Sequence, residues 1–335
     1  MSKLYNVGIV GATGAVGQEL LKILAIRRFP LGDLRLLASA RSAGKTITWQ
    51  GQEYQVGLTD ENAFTDLDIV LFAGGAASKQ YAKAAIAAGA IAIDNSSSFR
   101  YDPSVPLVTP EVNPEDVFLH KGLIANPNCS TIQLVVALKP LHDVAKIKRL
   151  AVSTYQAVSG AGVEGIRELK EQSAAMIAGK PIIEPACFPH CIGFNLIPQI
   201  DSFQENGYTR EEMKMVWETH KMLHDESIRI SVTCVRVPVF RCHSEAVAVE
   251  FERPLSPQEA RSLLLQAPGV KVMDEIEQNV YPMPYPLEDT DEVYVGRIRR
   301  DISTKNGLLM WIVADQLRKG AATNAVQIAE LLIKQ

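Results

Sequence analysis

Residues 5–28 read YNVGIVGATGAVGQELLKILAIRR, and this stretch decides the fold. The apolar run Tyr5–Val10 has the length of a buried strand. Glycines follow at Gly11, Gly14 and Gly17, and Leu20, Leu21, Ile23 and Leu24 then recur at helical spacing. Strand, glycine turn and helix together form the context in which glycine spacing signifies dinucleotide binding. The spacing is GxxGxxG rather than GxGxxG. Gly11 makes the tight turn, Gly14 lets the backbone approach a pyrophosphate, and Gly17 lets helix and strand pack closely. The helix start supplies N–H groups and the positive dipole end. Thr13, Ala15 and Val16 complete the expected cofactor turn. A plain strand-to-helix turn has the same local form, and the position directly after the first strand favours the cofactor reading.

Working outward, the next strand is expected at Leu34–Ala38, followed by Ser39, Ala40, Arg41 and Ser42. An NAD-selective site places a carboxylate at this strand end to bond the ribose hydroxyls. Here a guanidinium stands between two serines, which suits an added phosphate and points to NADP. Residues 68–73 and 91–97 read as further strands. Gly74 and Gly75 lie at the end of the first of these, where cofactor contacts gather in such sheets. The alternation over residues 5–128 predicts a Rossmann-type, doubly wound α/β domain with a parallel sheet. Beyond it, strands at 150–156, 229–237, 245–252, 293–299 and 307–313 alternate with helices at 160–178, 209–225 and 256–266. That pattern predicts an α+β catalytic domain with a largely antiparallel sheet. The expected division is 1–128 with 315–335, the latter a helix returning to the cofactor domain, and 129–314.

The 335 residues are too many for one typical core and are consistent with two domains. Hydrophobic residues make up 47% and charged residues 21%, as in a globular protein, and the net charge of −4 gives no reason to expect nucleic acid or a membrane surface as partner. The first apolar run is too short for a signal peptide. No stretch approaches the ~18–20 apolar residues of a membrane helix. Five cysteines without a secretory signal read as reduced thiols in a cytoplasmic protein.

The chemistry centres on ANPNCSTIQLVVALKPL, residues 125–141. A proline-containing turn delivers Cys129, and a helix follows from Ser130. A thiol at a helix N-terminus has its thiolate favoured by the dipole, and the nearby N–H groups can hold an oxyanion. A lone cysteine is otherwise a small buried hydrophobe, but the position between Asn128 and Ser130 fits a nucleophile better.

The sequence resembles the aspartate-semialdehyde dehydrogenase family, specifically its bacterial branches. The resemblance covers essentially the whole chain. It rests on GATGAVG (11–17), DNSSSFR (94–100), NPNCST (126–131), STYQAVSGAG (153–162), WETHK (217–221), the Arg236–His243 segment and DQLRKGAA (315–322). It implies that Cys129 attacks the aldehyde of aspartate semialdehyde, hydride leaves to NADP, and inorganic phosphate releases the thioester as aspartyl phosphate. Biosynthesis runs the reverse reduction. His243 is implied as acid/base and Gln156 as the amide that positions substrate or thioester. Asn128, Glu218 and Arg236 are implied for the substrate, and Arg100 and Lys221 for phosphate. Ser159, Gly160 and Gln316 are implied as cofactor contacts beside Ser39, Arg41, Ser42 and Gly74. A homodimer through the second domain's sheet is implied by the resemblance alone. Arg236 and His243 are seven apart, so in one unbroken strand they would face opposite sides. Both reach one pocket only if the chain breaks between them, and Pro238 is the expected break.

Two metal-like patterns are set aside. Cys187, His190 and Cys191 lack a second ligand pair for a tetrahedral zinc site. His220 and His224 have metalloprotease spacing, but Lys221 replaces the general-base glutamate. Two rival functions remain. An acyl-phosphate reductase such as N-acetyl-glutamyl-phosphate reductase would share the cofactor turn, the cysteine and a histidine. A non-enzymatic NADP-binding redox sensor would need Cys129 but no substrate clamp of Gln156, Arg236 and His243.

Overall fold

The computed structural model describes residues 3–333, and its contacts divide the chain into two compact units. The first comprises residues up to Asn128 together with those from Ala321 onward, and the second runs Cys129–Gly320. Residues 315–320, expected with the first unit, belong to the second. The physical reason lies in the side chains of Asp315 and Gln316, which are bonded within the second unit as described below.

The first unit opens with β1 (Tyr5–Val10), α1 (Ala15–Ile26) and β2 (Leu31–Ala38), followed by the small hairpin β3 (Thr46–Trp49) and β4 (Gln52–Gln55). Then come β5 (Gly57–Leu58), β6 (Ile69–Phe72), α2 (Gly75–Ala87), β7 (Ile91–Asp94) and β8 (Leu123–Ala125). The six-stranded sheet runs β5-β2-β1-β6-β7-β8 with every pairing parallel. The chain moves outward in one direction from β1 and then in the other from β6. The cleft outside the carboxyl ends of β1 and β6 is therefore the topological switch point where such sheets bind ligands. Gly11 follows β1 and Gly74 follows β6, and a Cβ on Gly11 would stand 3.6 Å from the Gly74 nitrogen.

The second unit contains α3 (Cys129–Ala145), β9 (Ile147–Gln156), α4 (Gly162–Ile177), α5 (Arg210–Leu223), β10 (Arg229–Arg236), β11 (His243–Phe251), α6 (Pro257–Gln266), β12 (Val270–Val272), β13 (Val293–Arg300) and β14 (Gly307–Ala314). Its sheet has the order β10-β9-β11-β14-β13-β12. Three pairings are antiparallel and two, β10 with β9 and β12 with β13, are parallel. Helices α3, α5 and α6 pack on this sheet and on one another. Alternate residues of β9 and β11, among them Val152, Thr154, Val247 and Val249, are buried, while Ala151, Ser153, Ala246 and Ala248 are half-exposed. One face is thus the core and the other stays partly open, the pattern a half-buried sheet imposes.

After β14 the chain makes a wide π turn, Arg318–Ala322, before α7 (Thr323–Ile333). The closing helix therefore begins at Thr323 and not at residue 315 as expected. It carries Ala325, Val326, Ile328 and Ala329 into the first unit's core with Val7, Ile9, Leu20 and Leu71. Arg27 grips Glu330 through two hydrogen bonds of 2.7 and 2.6 Å, and Asn324 donates to the carbonyl of Val108 and to Asn126. Among the described residues no helix is long and apolar enough to cross a membrane.

The second core contains a carboxyl group. Glu245 on β11 is fully buried, and burial raises its pKa well above the usual range, an effect that the Gln133 amide of α3 only partly offsets. Glu245 therefore keeps its proton in the fold at pH values where the unfolded chain has lost it. Its favourable contribution is complete below the unfolded pKa and is lost as pH rises towards the folded one. Glu245→Gln preserves shape but removes the titration. The variant is expected to gain denaturation midpoint over the parent, by more at pH 8 than at pH 5. Midpoints measured at both pH values check this, and a gain that is equal at the two, or absent, contradicts it.

Candidate active site

The site is built at the carboxyl end of β9, where Gln156 is the last strand residue. β9 lies between β10 and β11, with Arg236 opposite Gln156 on one side and Ser244 opposite Tyr155 on the other. Arg236 ends β10 and His243 begins β11. The seven-residue spacing is thereby resolved. The chain leaves the sheet after Arg236, turns through residues 237–242 with Pro238 among them, and returns on the far side of β9. The two residues occupy different strands, so single-strand alternation does not apply to them.

Ala157, one residue beyond Gln156, joins the pair. Its N–H donates to His243 Nδ1 at 3.0 Å, and its carbonyl accepts from Arg236 Nη1 at 2.6 Å. A backbone N–H can only donate, so Nδ1 presents a lone pair and the neutral ring carries its hydrogen on Nε2. Nε2 is buried without a hydrogen-bond partner among the described residues. Burial first, and the Arg236 guanidinium second, hold the imidazole pKa down to about 3. His243 is accordingly a neutral ring with an unspent N–H across the physiological range. Gly160 keeps the adjoining space clear, since a Cβ there would stand 2.9 Å from Arg236 Nη1 and 3.3 Å from His243 Cε1.

Gln156 reaches the other way. Its amide nitrogen makes a short hydrogen bond to Ser130 Oγ and a 3.3 Å one to Glu211 Oε1. Ser130 follows Cys129, which is half-buried and is the first residue of a 17-residue helix. The thiol therefore sits at the positive end of the dipole. The Arg236 guanidinium lies within electrostatic reach of the Cys129 thiol. Gly320 packs against the cysteine, where a Cβ would approach Cys129 Cβ to 3.0 Å.

The carboxylate that meets Gln156 belongs to Glu211, two helical turns before the expected Glu218. Lys214 donates to Glu211 and to Asp201, each at 2.9 Å. Burial alone would lower the Lys214 pKa, but the two carboxylates outweigh it and raise it. Glu218 is buried and Lys221 half-buried on the same helix, about 10 Å further along. Glu211 and Lys214 were missed because WETHK drew the choice. A local signal existed. Thr209 and Glu212 form a capping box that fixes the start of α5 and so puts Glu211 in its first turn, nearest the strand ends.

Ser159 and Gln316, expected as cofactor contacts, are bonded to each other. The Gln316 amide is spent inside the protein, accepting from Cys242 N at 2.8 Å and donating to Ser159 Oγ. Asp315 beside it is buried and accepts from Asp289 N at 2.8 Å, Leu317 N at 3.0 Å and the Arg241 guanidinium at 2.7 Å. These bonds fasten 315–320 to the second unit and brace Cys242, which has a φ of +69° directly before His243. Among the described residues no group of three or more His, Cys, Asp or Glu side chains is placed to hold a metal ion. His220 Nε2 is 2.7 Å from the carbonyl of Ile228, and Cys191 donates to Gln172.

In the first unit the glycine turn has the form a dinucleotide needs. Gly11 has a φ of +85°, and a Cβ on Gly17 would fall 2.3 Å from the Gly11 carbonyl oxygen, so both positions require glycine. Gly14 caps α1 without any side-chain bond, leaving first-turn N–H groups for a phosphate beside the exposed Thr13. Ala15 and Val16 open the helix half-exposed. Beyond β2, Ser39 and Arg41 are exposed and Ser42 is buried. Gly74 caps α2 with open space around it. Arg100 is buried and donates from Nη2 to the Asn95 carbonyl at 3.0 Å, and Asn128 is buried at the end of this unit.

Two family models match the chain: "Semialdehyde dehydrogenase, NAD binding domain" over residues 6–120 and "Semialdehyde dehydrogenase, dimerisation domain" over residues 138–319. The chain is 58% identical to the aspartate-semialdehyde dehydrogenase of Aquifex aeolicus, covering 99% of this chain and 98% of the relative. It is 50% identical to aspartate-semialdehyde dehydrogenase 2 of Vibrio cholerae, covering 100% and 99%. Among solved structures, that of Vibrio cholerae aspartate semialdehyde dehydrogenase II complexed with ASA superposes with a TM-score of 0.96 at 48% identity, covering 100% of this chain and 99% of that one. The Candida albicans enzyme with NADP gives 0.76 at 27% identity, covering 98% of each. With a nicotinamide-binding Rossmann-like unit and a mixed-sheet catalytic unit in one chain, this oxidoreductase belongs to the aspartate-semialdehyde dehydrogenase family.

Proposed function

We propose that the chain interconverts aspartate semialdehyde and aspartyl phosphate, using NADP and inorganic phosphate, through a thioester on Cys129. The observation that supports this most is the Ala157 peptide, which orients His243 and anchors Arg236 one residue beyond the glutamine that holds the start of the Cys129 helix. A nucleophile, a donor and a cation for a carboxylate are thus held by consecutive residues of one strand end. Relatives that are 48–58% identical over nearly the whole chain favour aspartate semialdehyde over the acetylated glutamyl analogue.

Cys129 attacks the aldehyde carbon as thiolate, which the helix dipole and the nearby Arg236 charge both favour. The tetrahedral adduct bears a developing negative oxygen. His243 Nε2–H is the donor suited to it, because the ring is already neutral with that hydrogen outward. The bound nicotinamide supplies hydride acceptance in one direction and hydride donation in the other. Phosphate then attacks the thioester carbonyl, the C–S bond breaks, and Cys129 leaves as thiolate. Arg236 has Nε without a partner among the described residues and takes the substrate carboxylate. Glu211 replaces Glu218 as the carboxylate for the substrate ammonium. Arg100, Asn128 and Lys221 are proposed for phosphate and substrate, with Lys214 the cation beside Gln156. Gly11, Thr13, Gly14, Ala15, Val16, Gly74 and Gly160 are proposed cofactor contacts, and Ser39, Arg41 and Ser42 hold the extra phosphate of NADP. Gln316 and Ser159 support the catalytic histidine instead. The open face of the second unit's sheet, which includes Ala151, Ser153, Ala246 and Ala248, is proposed to meet a second copy in a homodimer.

Cys129→Ser is expected to lower phosphate-dependent turnover of aspartate semialdehyde by roughly three orders of magnitude or more. Turnover near that of the parent in a steady-state assay would remove the covalent mechanism. Arg41→Ala should raise KM for NADP by about tenfold or more while leaving KM for NAD within about twofold, the scale of one charge-assisted phosphate contact. Equal changes for the two cofactors would sink the phosphate role of Arg41.

A further inference from the structure

Outside the groups that face Cys129, α4 presents two buried polar side chains one turn apart, Glu168 and Gln172, which bond each other at 3.3 Å and together hold one loop. Glu168 Oε2 accepts from the backbone N–H groups of Ala186 and Cys187 at 3.0 and 2.6 Å. Gln172 Oε1 accepts from those of Ile192 and Gly193 at 2.8 and 3.1 Å. A buried carboxylate is costly unless its acceptor sites are filled, and here the loop fills those of Oε2 while the Gln172 amide donates to Oε1. The clasp brackets Phe188 on both sides. The Phe188 ring lies under the Arg236 guanidinium, with 5.7 Å between Cζ and the ring centroid. Its tip rests on Gly165, where a Cβ would stand 3.0 Å from Phe188 Cζ and 2.5 Å from the Val158 carbonyl.

We propose that Phe188 is a substrate-positioning residue. Held by the Glu168–Gln172 clasp, it backs the Arg236 guanidinium so that the open edge of the fork is fixed towards the substrate carboxylate. The inference rests on the reading of Arg236 given above. A guanidinium bonded at Nη1 to Ala157 and covered on one face by an aromatic ring has little freedom to rotate. It is also shielded from water on that face, which strengthens its pairing with a carboxylate. The remaining Nε edge defines one orientation for the carboxylate, and therefore the distance from that carboxylate to the reacting carbon.

The test is kinetic and uses the full-length enzyme. Phe188→Ala is expected to raise KM for aspartate semialdehyde by about tenfold, the scale of a desolvated cation–π contact, and by more than any fall in kcat. KM for the cofactor should stay within about twofold. Phe188→Tyr should recover most of the lost affinity, because it restores the aromatic face. Glu168→Ala, which frees the loop, should raise the same KM, and the double variant should be no worse than the poorer single one, since both changes act through one contact. A KM for the semialdehyde within twofold of the parent in Phe188→Ala, or single effects that multiply in the double variant, overturns the proposal. Arg236→Leu separates the two readings. If it leaves that KM unchanged, the carboxylate role of Arg236 fails. If it raises KM while Phe188→Ala does not, only the role of Phe188 fails.

Discussion

The N–H of Ala157 meets His243 and its carbonyl meets Arg236, and much of the site's geometry follows from the backbone of that one residue. Because a backbone amide cannot accept through its N–H, it dictates the imidazole tautomer and leaves Nε2–H facing the site. Because the same residue's carbonyl takes one guanidinium nitrogen, Arg236 is held beside the histidine whose protonation it opposes. Protonating His243 would set an Nδ1–H against the Ala157 N–H, in addition to the burial and the neighbouring charge that already hold the pKa down. In the mechanism proposed, His243 is therefore a donor to a developing oxyanion, and the helix start and the Arg236 charge, not the histidine, favour the thiolate.

That peptide is held in place by a mixed sheet. β9 has β10 parallel on one side and β11 antiparallel on the other, so the end of one flanking strand and the start of the other arrive together at its carboxyl end. The buried Asp315 carboxylate ties three segments together, and the adjacent Gln316 amide ties the Ser159 turn to Cys242. The left-handed backbone of Cys242, directly before His243, is the sort of local strain that persists only where surrounding bonds over-determine it. Gly160 and Gly320 then provide the close approaches that side chains would block.

The cofactor turn and the central strands of the first unit were legible, whereas the hairpin of β3 and β4 and the short β5 and β8 carry no comparable signal. Period and glycine spacing over residues 5–28 require a strand, a positive-φ turn and a tightly packed helix, and backbone sterics leave few alternatives. Cys129 at a helix start was legible for a similar reason, because its proline turn and apolar helix are local. The partners of Cys129 were not, since they depend on strand order. Spacing along the chain cannot show that Arg236 and His243 flank a third strand, and single-strand alternation argued against their meeting. The resemblance supplied the pair and the fold supplied the geometry. The resemblance points to Glu218 through WETHK and offers nothing at Glu211; only the sheet shows which turn of α5 lies beside Gln156. Gln316, implied as a cofactor contact, lies before the closing helix, and its amide bonds Cys242 and Ser159. The second sheet, expected to be largely antiparallel, also has a parallel pairing at each end, which strand periodicity does not reveal.

The central claim is that Cys129 becomes acylated. It is tested most directly by mixing enzyme, NADP and aspartate semialdehyde without phosphate, quenching in acid within the first turnover, and mapping peptide masses. The account predicts one acyl group on the peptide that contains Cys129, lost when phosphate is added before the quench and absent in Cys129→Ser. Reduced cofactor formed in a stoichiometric burst with no mass change on that peptide would contradict it.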